Sequence, residues 1–148
     1  MSLARHVLIP VDFSSLCEKA AAALSDLSPV IERVTLVHVH DEESHQAIAT
    51  LNLAPDAPRA SEKMKAALQT RLAAWGDEHL SSIAKRDAEV VMDDEPAEAV
   101  CRRAKELGVS LIVTPTHGRT GLAHLLMGSV AEHVVQKAPC PVLVVRRT

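Results

Sequence analysis

Short aliphatic runs alternate with helical stripes along the whole chain. Val7-Leu8-Ile9-Pro10-Val11 is apolar at every position, as in a strand covered on both faces. Pro10 has no N–H, so strand pairing is expected to end near it. Ser15-Leu16-Cys17-Glu18 has the form of a capping box. Leu16, Ala20, Ala23, Leu24 and Leu27 then fall on one helical stripe, which Pro29 stops. Val34 to Val39 gives the second strand. Asp41 to about Ser61 is polar and irregular, with Pro55 and Pro58. The helix that follows is expected to turn Met64, Leu68, Leu72, Trp75, Leu80 and Ile83 inward. Gly76 weakens it by about 1 kcal/mol relative to Ala.

Ala88 to Met92 is the third strand, and its charged flanks suit an edge. Pro96 fits the first turn of a helix whose inner stripe is Ala97, Val100, Cys101, Ala104 and Leu107, and Gly108 ends it. Leu111 to Thr114 is the fourth strand. A loop from Pro115 to Met127 leads to a helix opened by Gly128-Ser129 and running to about Ala138. Pro139 and Pro141 bracket the turn into the last strand, Val142 to Val145. This alternation predicts one α/β domain over residues 1–148: an open five-stranded parallel sheet with right-handed crossovers and helices on both faces.

Composition narrows the function. The net charge is −3 and no basic block is present, which excludes a general nucleic-acid surface. Phe13 and Trp75 are the only aromatics, so stacking platforms are missing too. No apolar run is long enough for a membrane span, and Pro10 and Asp12 interrupt any signal-like stretch, so the expected location is cytoplasmic. Cys17, Cys101 and Cys140 have neither disulfide nor zinc spacing, and Cys101 is expected in the core.

In sheets of this kind ligands bind beyond the carboxyl ends of the strands. Two strand ends stand out: Asp12 after the first, and Pro115-Thr116-His117-Gly118 after the fourth. Gly118-Arg119-Thr120-Gly121 and then Gly128-Ser129 could bring backbone N–H groups and a helix N-terminus to a phosphate. The same residues also serve as turns, and Ser129-Val130-Ala131-Glu132 as a capping box. Asp12 is equally suited to a ligand or to turning the chain after its strand. His117 and Arg119 suit either a phosphate or solvent. His38, His40 and His45 make no convincing metal set. The P-loop pattern and an early GxGxxG are both absent, and no nucleophile, base and acid stand together.

Several segments resemble the universal stress protein family: His6 to Ser14 (HVLIPVDFS), Leu36 to Asp41 (LVHVHD), Leu111 to Gly121 (LIVTPTHGRTG), Leu125 to Val130 (LLMGSV) and Pro139 to Arg146 (PCPVLVVR). The likeness covers the chain except for Asp41 to about Met92. It implies strand order 3-2-1-4-5 (the adenine nucleotide alpha hydrolase-like fold), a homodimer through the last strand, and an ATP-binding regulatory or stress-response module with Mg²⁺ as companion. It further implies that Pro10, Val11 and Asp12 lie beneath the nucleotide, with Asp12 on the ribose or a phosphate-bound metal. Val39 would meet the adenine through its backbone, and Thr114 would stand beside base and sugar. Gly118, Gly128, Ser129 and Val130 would serve the phosphates. Pro115 stands where the nucleotide-binding members have their first motif glycine, and it motivates the alternative of a dimeric interaction module without nucleotide. At most slow hydrolysis is expected, because no residue is placed to activate water; a small hydrolase or transferase is the weakest reading.

Overall fold

The computed structural model describes residues 4–41, 57–117 and 127–146, with only the backbone for 57–61. Its strands are β1 (His6–Pro10), β2 (Arg33–His40), β3 (Arg86–Met92), β4 (Leu111–Pro115) and β5 (Val142–Val145). Its helices are α1 (Ser15–Asp26), α2 (Ala57–His79), α3 (Pro96–Leu107) and α4 (Ser129–Lys137). All strand pairs are parallel, and the order is β3-β2-β1-β4-β5.

The unbroken apolar runs follow from the two-sided cover. Val7, Ile9, Val34, Leu36 and Val113 pack with Cys17, Ala20 and Leu24 of α1 and Leu72 and Trp75 of α2. Their neighbours Leu8, Val37 and Ile112 turn the other way, onto Val100, Cys101 and Ala104 of α3 and Val134 of α4. Successive strand residues therefore feed opposite layers. Leu8, Ile9, Leu36 and Ile112 are essentially inaccessible, and burial of each side chain is worth about 1.5–3 kcal/mol. The edge position expected for the third strand is observed at β3, with Arg103 of α3 clamping Glu89 through two 2.9 Å contacts.

Several local expectations are corrected. Leu80 and Ile83 are buried, but they lie beyond α2 in a turn that folds inward. Ile83 N–H donates to Leu80 O at 3.0 Å, and Arg86 donates to the carbonyls of both residues. Their spacing continues a helical stripe by coincidence of this turn. Met64 is 39% exposed, on the outer side of α2. On α1 the inner face carries Cys17 and Ala21, while Leu27 lies past the helix end and is largely exposed. Gly76 has a packing reason: a Cβ there would meet both Leu36 methyls at 3.3 Å, so α2 crosses β2 at this point.

The cap of α1 is also one residue earlier than its sequence suggests. Ser14, not Ser15, is the N-cap; its Oγ accepts from Cys17 N–H at 3.4 Å. We therefore expect Ser14→Ala to cost about 1 kcal/mol and Ser15→Ala close to nothing. Denaturant unfolding of the two variants checks this. No helix among the described residues is long and apolar enough to cross a membrane.

Candidate functional site

β1 lies between β2 and β4, and chain order reverses across it. With β2, β1 pairs to its last residue, Pro10↔Val37, and Val11 N–H adds a bond to Val37 O at 2.8 Å. With β4 the register stops at Leu8↔Ile112. The cause is in the sequence. Ile112 and Thr116 N–H groups donate toward β5, so alternation turns residues 111, 113 and 115 toward β1. The same alternation turns Leu8 and Pro10 toward β4. The next two rungs would need the N–H of Pro10 and then that of Pro115, and proline has neither. The ladder between the two strands therefore stops short of their carboxyl ends and leaves a gap in the pairing between Pro10–Asp12 and Thr114–His117.

Val39 flanks this gap in the pairing from the β2 side of β1. It lies two residues past the last β1–β2 pair, and alternation points its backbone N–H and C=O toward the β1 side. Its side chain packs in the α3–α4 layer.

Asp12 is held by its own turn. Its Oδ1 accepts Ser14 N–H at 2.9 Å and the Cys17 thiol at 3.0 Å. Burial, as the main cause, pushes the Cys17 thiol up to about 12. Phe13 adopts φ +62°, the left-handed region that a bulky residue occupies only when its surroundings fix it. Here they do: the ring lies 4.9 Å from the His38 ring, and the Arg71 guanidinium sits 4.0 Å over it. His38 is buried and its Nδ1 lies 2.7 Å from Val11 O, so that nitrogen carries the proton and donates. The turning role of Asp12 is thus realised. Cys17, Phe13, His38 and Arg71 were not singled out for it from the sequence, since each reads there as a helix-face, strand or loop residue.

On the β4 side Thr114, Pro115 and Thr116 are buried, and His117 is partly exposed with Nδ1 3.1 Å from Thr116 Oγ1. Gly118, Arg119 and Gly121 lie outside the described residues. The start of α4 docks directly on this strand end: Gly128 N–H donates to Thr116 O. Gly128 is itself the N-cap, so the capping box expected with Ser129 as cap does not form. Ser129 is the first helical residue; it and Val130 are exposed. Gly128 needs no special backbone angle, its φ being −73°. It needs room, because a Cβ would stand 3.2 Å from Thr116 O and 3.3 Å from His117 Cα. The structure thus gathers Pro10, Val11, Asp12, Val39, Thr114, Pro115, His117, Gly128, Ser129 and Val130 around one end of the sheet.

Among the described residues no group of three or more His, Cys, Asp and Glu side chains is arranged for a metal. Asp12 places a carboxylate at this end of the sheet, and Mg²⁺ characteristically takes one or two carboxylates together with substrate phosphates.

The model of the universal stress protein family matches residues 4–146. The chain belongs to the universal stress protein family. A universal stress protein of Methanocaldococcus jannaschii is 28% identical over 97% of this chain and 95% of its own length. Its solved structure superposes with a TM-score of 0.82, covering 99% of this chain and 98% of that one. A universal stress protein of Mycobacterium tuberculosis is 33% identical over 96% of this chain but only 45% of its own length. A family member from Arabidopsis thaliana, solved with AMP bound, has the same fold at 18% identity and a TM-score of 0.62, over 97% of this chain and 92% of its own. This universal stress protein thus has the family's strand order and its adenine nucleotide alpha hydrolase-like fold.

Proposed function

We propose that this universal stress protein is a nucleotide-binding regulatory module of the stress response, with ATP as its ligand. The observation that carries the reading is the gap that two prolines leave in the β1–β4 pairing, with the start of α4 docked on the end of β4. Its two sides differ in a way that suits a nucleotide. The α4 side offers backbone N–H groups and the positive end of a helix dipole, which favour phosphate. The Val39 side offers a backbone donor and acceptor pointing past β1, which suits a base edge. Asp12 and Thr114 lie between them, at the ribose. AMP bound in the Arabidopsis relative supports an adenine nucleotide as the ligand. Mg²⁺ would arrive with ATP, held mainly by its phosphates, with Asp12 the protein carboxylate nearest them. It would supply charge neutralisation there.

The reading extends to a cytoplasmic homodimer through β5. This strand ends the sheet, and Leu143 on it is 38% exposed. Sedimentation as a monomer at micromolar concentration would remove the dimer from the reading. The reading includes at most slow hydrolysis of the bound ATP.

Calorimetric titration with ATP, with and without Mg²⁺, tests the proposal, with AMP as comparator. Pro115→Gly is the informative variant. It adds an N–H that faces the gap, and it also frees the unfolded backbone. We expect affinity to change by about 1 kcal/mol, the scale of one neutral hydrogen bond. No binding by the natural chain with strong binding by Pro115→Gly would favour the alternative, an interaction module whose proline has closed the nucleotide site.

A further inference from the structure

The outer edge of β3 is the other margin of the sheet and pairs with no strand among the described residues. Asp93 N–H donates to His40 O, and Val34 N–H donates to Lys85 O. Odd-numbered residues of β3 therefore face β2, and Arg86, Ala88, Val90 and Met92 turn their backbone groups outward. Gln69 of α2 meets this edge. Its Nε2 donates to Ala88 O, and its Oε1 accepts Val90 N–H at 3.2 Å. A residue of a parallel neighbouring strand set opposite Glu89 would use this same acceptor and donor. The glutamine amide thus stands in for one residue of a sixth strand.

A groove of about 740 Å³ runs beside that contact, lined by Glu62, Lys65 and Gln69 of α2, by Ala88 to Met92, and by Arg103 of α3. It is the slot that a further strand would enter. Of its charged side chains, Glu89 and Arg103 already pair within the chain, which leaves Glu62 and Lys65 of α2, one of each sign, to meet their own copies across a two-fold axis, as an isologous contact requires. A two-fold copy would approach antiparallel and pair through both backbone groups of Val90 or of Ala88. Gln69 already holds one group of each.

We propose that Gln69 is a plug that keeps the β3 edge closed against a second copy of this chain. Edge strands are the usual entry for unwanted pairing, and natural sheets block them by local devices. The consequence is larger than one extra dimer. With the pairing through β5 proposed above, a second pairing through β3 would use the opposite edge of the same sheet, so each added copy would leave another edge free and the assembly would extend.

Gln69→Leu tests this. Leucine keeps the side-chain bulk and the helix propensity of α2 and removes both hydrogen bonds. Sedimentation velocity across micromolar concentrations is expected to show at least a doubling of mass over the natural chain, rising with concentration. Ala88→Pro in the Gln69→Leu background should restore the natural mass, because it removes an outward N–H that β2 does not use. A folded Gln69→Leu chain with the natural mass would overturn the proposal. So would a mass increase that Ala88→Pro leaves unchanged. If Gln69→Leu does not fold, amide exchange in the natural chain decides: Val90 N–H should exchange more slowly than the outward-facing Met92 N–H. Equal rates would defeat the plug.

Discussion

Gly128→Val is expected to weaken ATP binding at least tenfold, about 1.4 kcal/mol, while leaving the sheet folded. The reason is steric. The new Cβ would lie 3.2 Å from Thr116 O and 3.3 Å from His117 Cα, both backbone atoms at the end of β4. Neither can rotate away, and valine adds two further carbons. The start of α4 must therefore shift against the strand end, and with it the N–H groups proposed to hold the phosphates. Overpacking of this kind costs about 1–3 kcal/mol of stability, so a control of similar instability is needed. Gly108→Ala provides it. Gly108 caps α3 at φ +62°, with open space where a Cβ would stand. Alanine there is strained by about 1–2 kcal/mol, beside the opposite end of β4. Titration should find ATP affinity retained in Gly108→Ala and lost in Gly128→Val. A folded Gly128→Val chain with natural affinity would place the phosphates elsewhere.

The sequence carried the elements well because the sheet is covered on both faces. Runs such as Val7 to Ile9 and Leu111 to Val113 have no alternation to misread, and prolines and glycines punctuate them. It carried the edge position of β3 through charge. It could not carry strand order, which depends on contacts between distant residues; the family resemblance supplied that. At α1, Ser15 and Glu18 match the capping pattern, but the turn is set upstream, where Asp12 takes Ser14 N–H. Leu80 and Ile83 fit the stripe of α2 because an inward turn can share the spacing of a helix. At the candidate site, the prolines were visible individually, Pro10 as a strand end and Pro115 as a departure. Their joint effect needed the register, which shows that they remove successive rungs of one ladder. Gln69 and Arg71 were invisible for a simpler reason. A polar residue on a helix reads as solvated until the neighbouring strand or loop is placed against it.

Raising the pH should destabilise the protein through Cys17, a residue at the root of the same site. Its thiol is buried and donates to Asp12 Oδ1 at 3.0 Å, with Pro10 O also 3.6 Å away. A thiolate would lose solvation and face a carboxylate, and the folded-state pKa rises from 9.0 to about 12. The folded chain therefore holds this proton more tightly than the unfolded chain does. Between those two values more protons are bound in the folded state, so stability must fall as pH rises. The slope approaches about 1.4 kcal/mol per pH unit, and the loss is about 4 kcal/mol at the top of the window. Below the unfolded thiol's range this contribution is fully present. Burial raises Cys101 and Cys140 in the same direction, which steepens the limb. The chain has no tyrosine, so thiolate absorbance can be followed without overlap from phenolate. Cys17→Ser keeps a donor for Asp12 but carries no proton that titrates in this range. Denaturant unfolding from neutral pH to about 11 should give a falling curve for the natural chain and a distinctly flatter one for Cys17→Ser. Parallel curves would mean that the Cys17 proton is not what the fold retains, and that the Asp12 turn tolerates a thiolate beneath it.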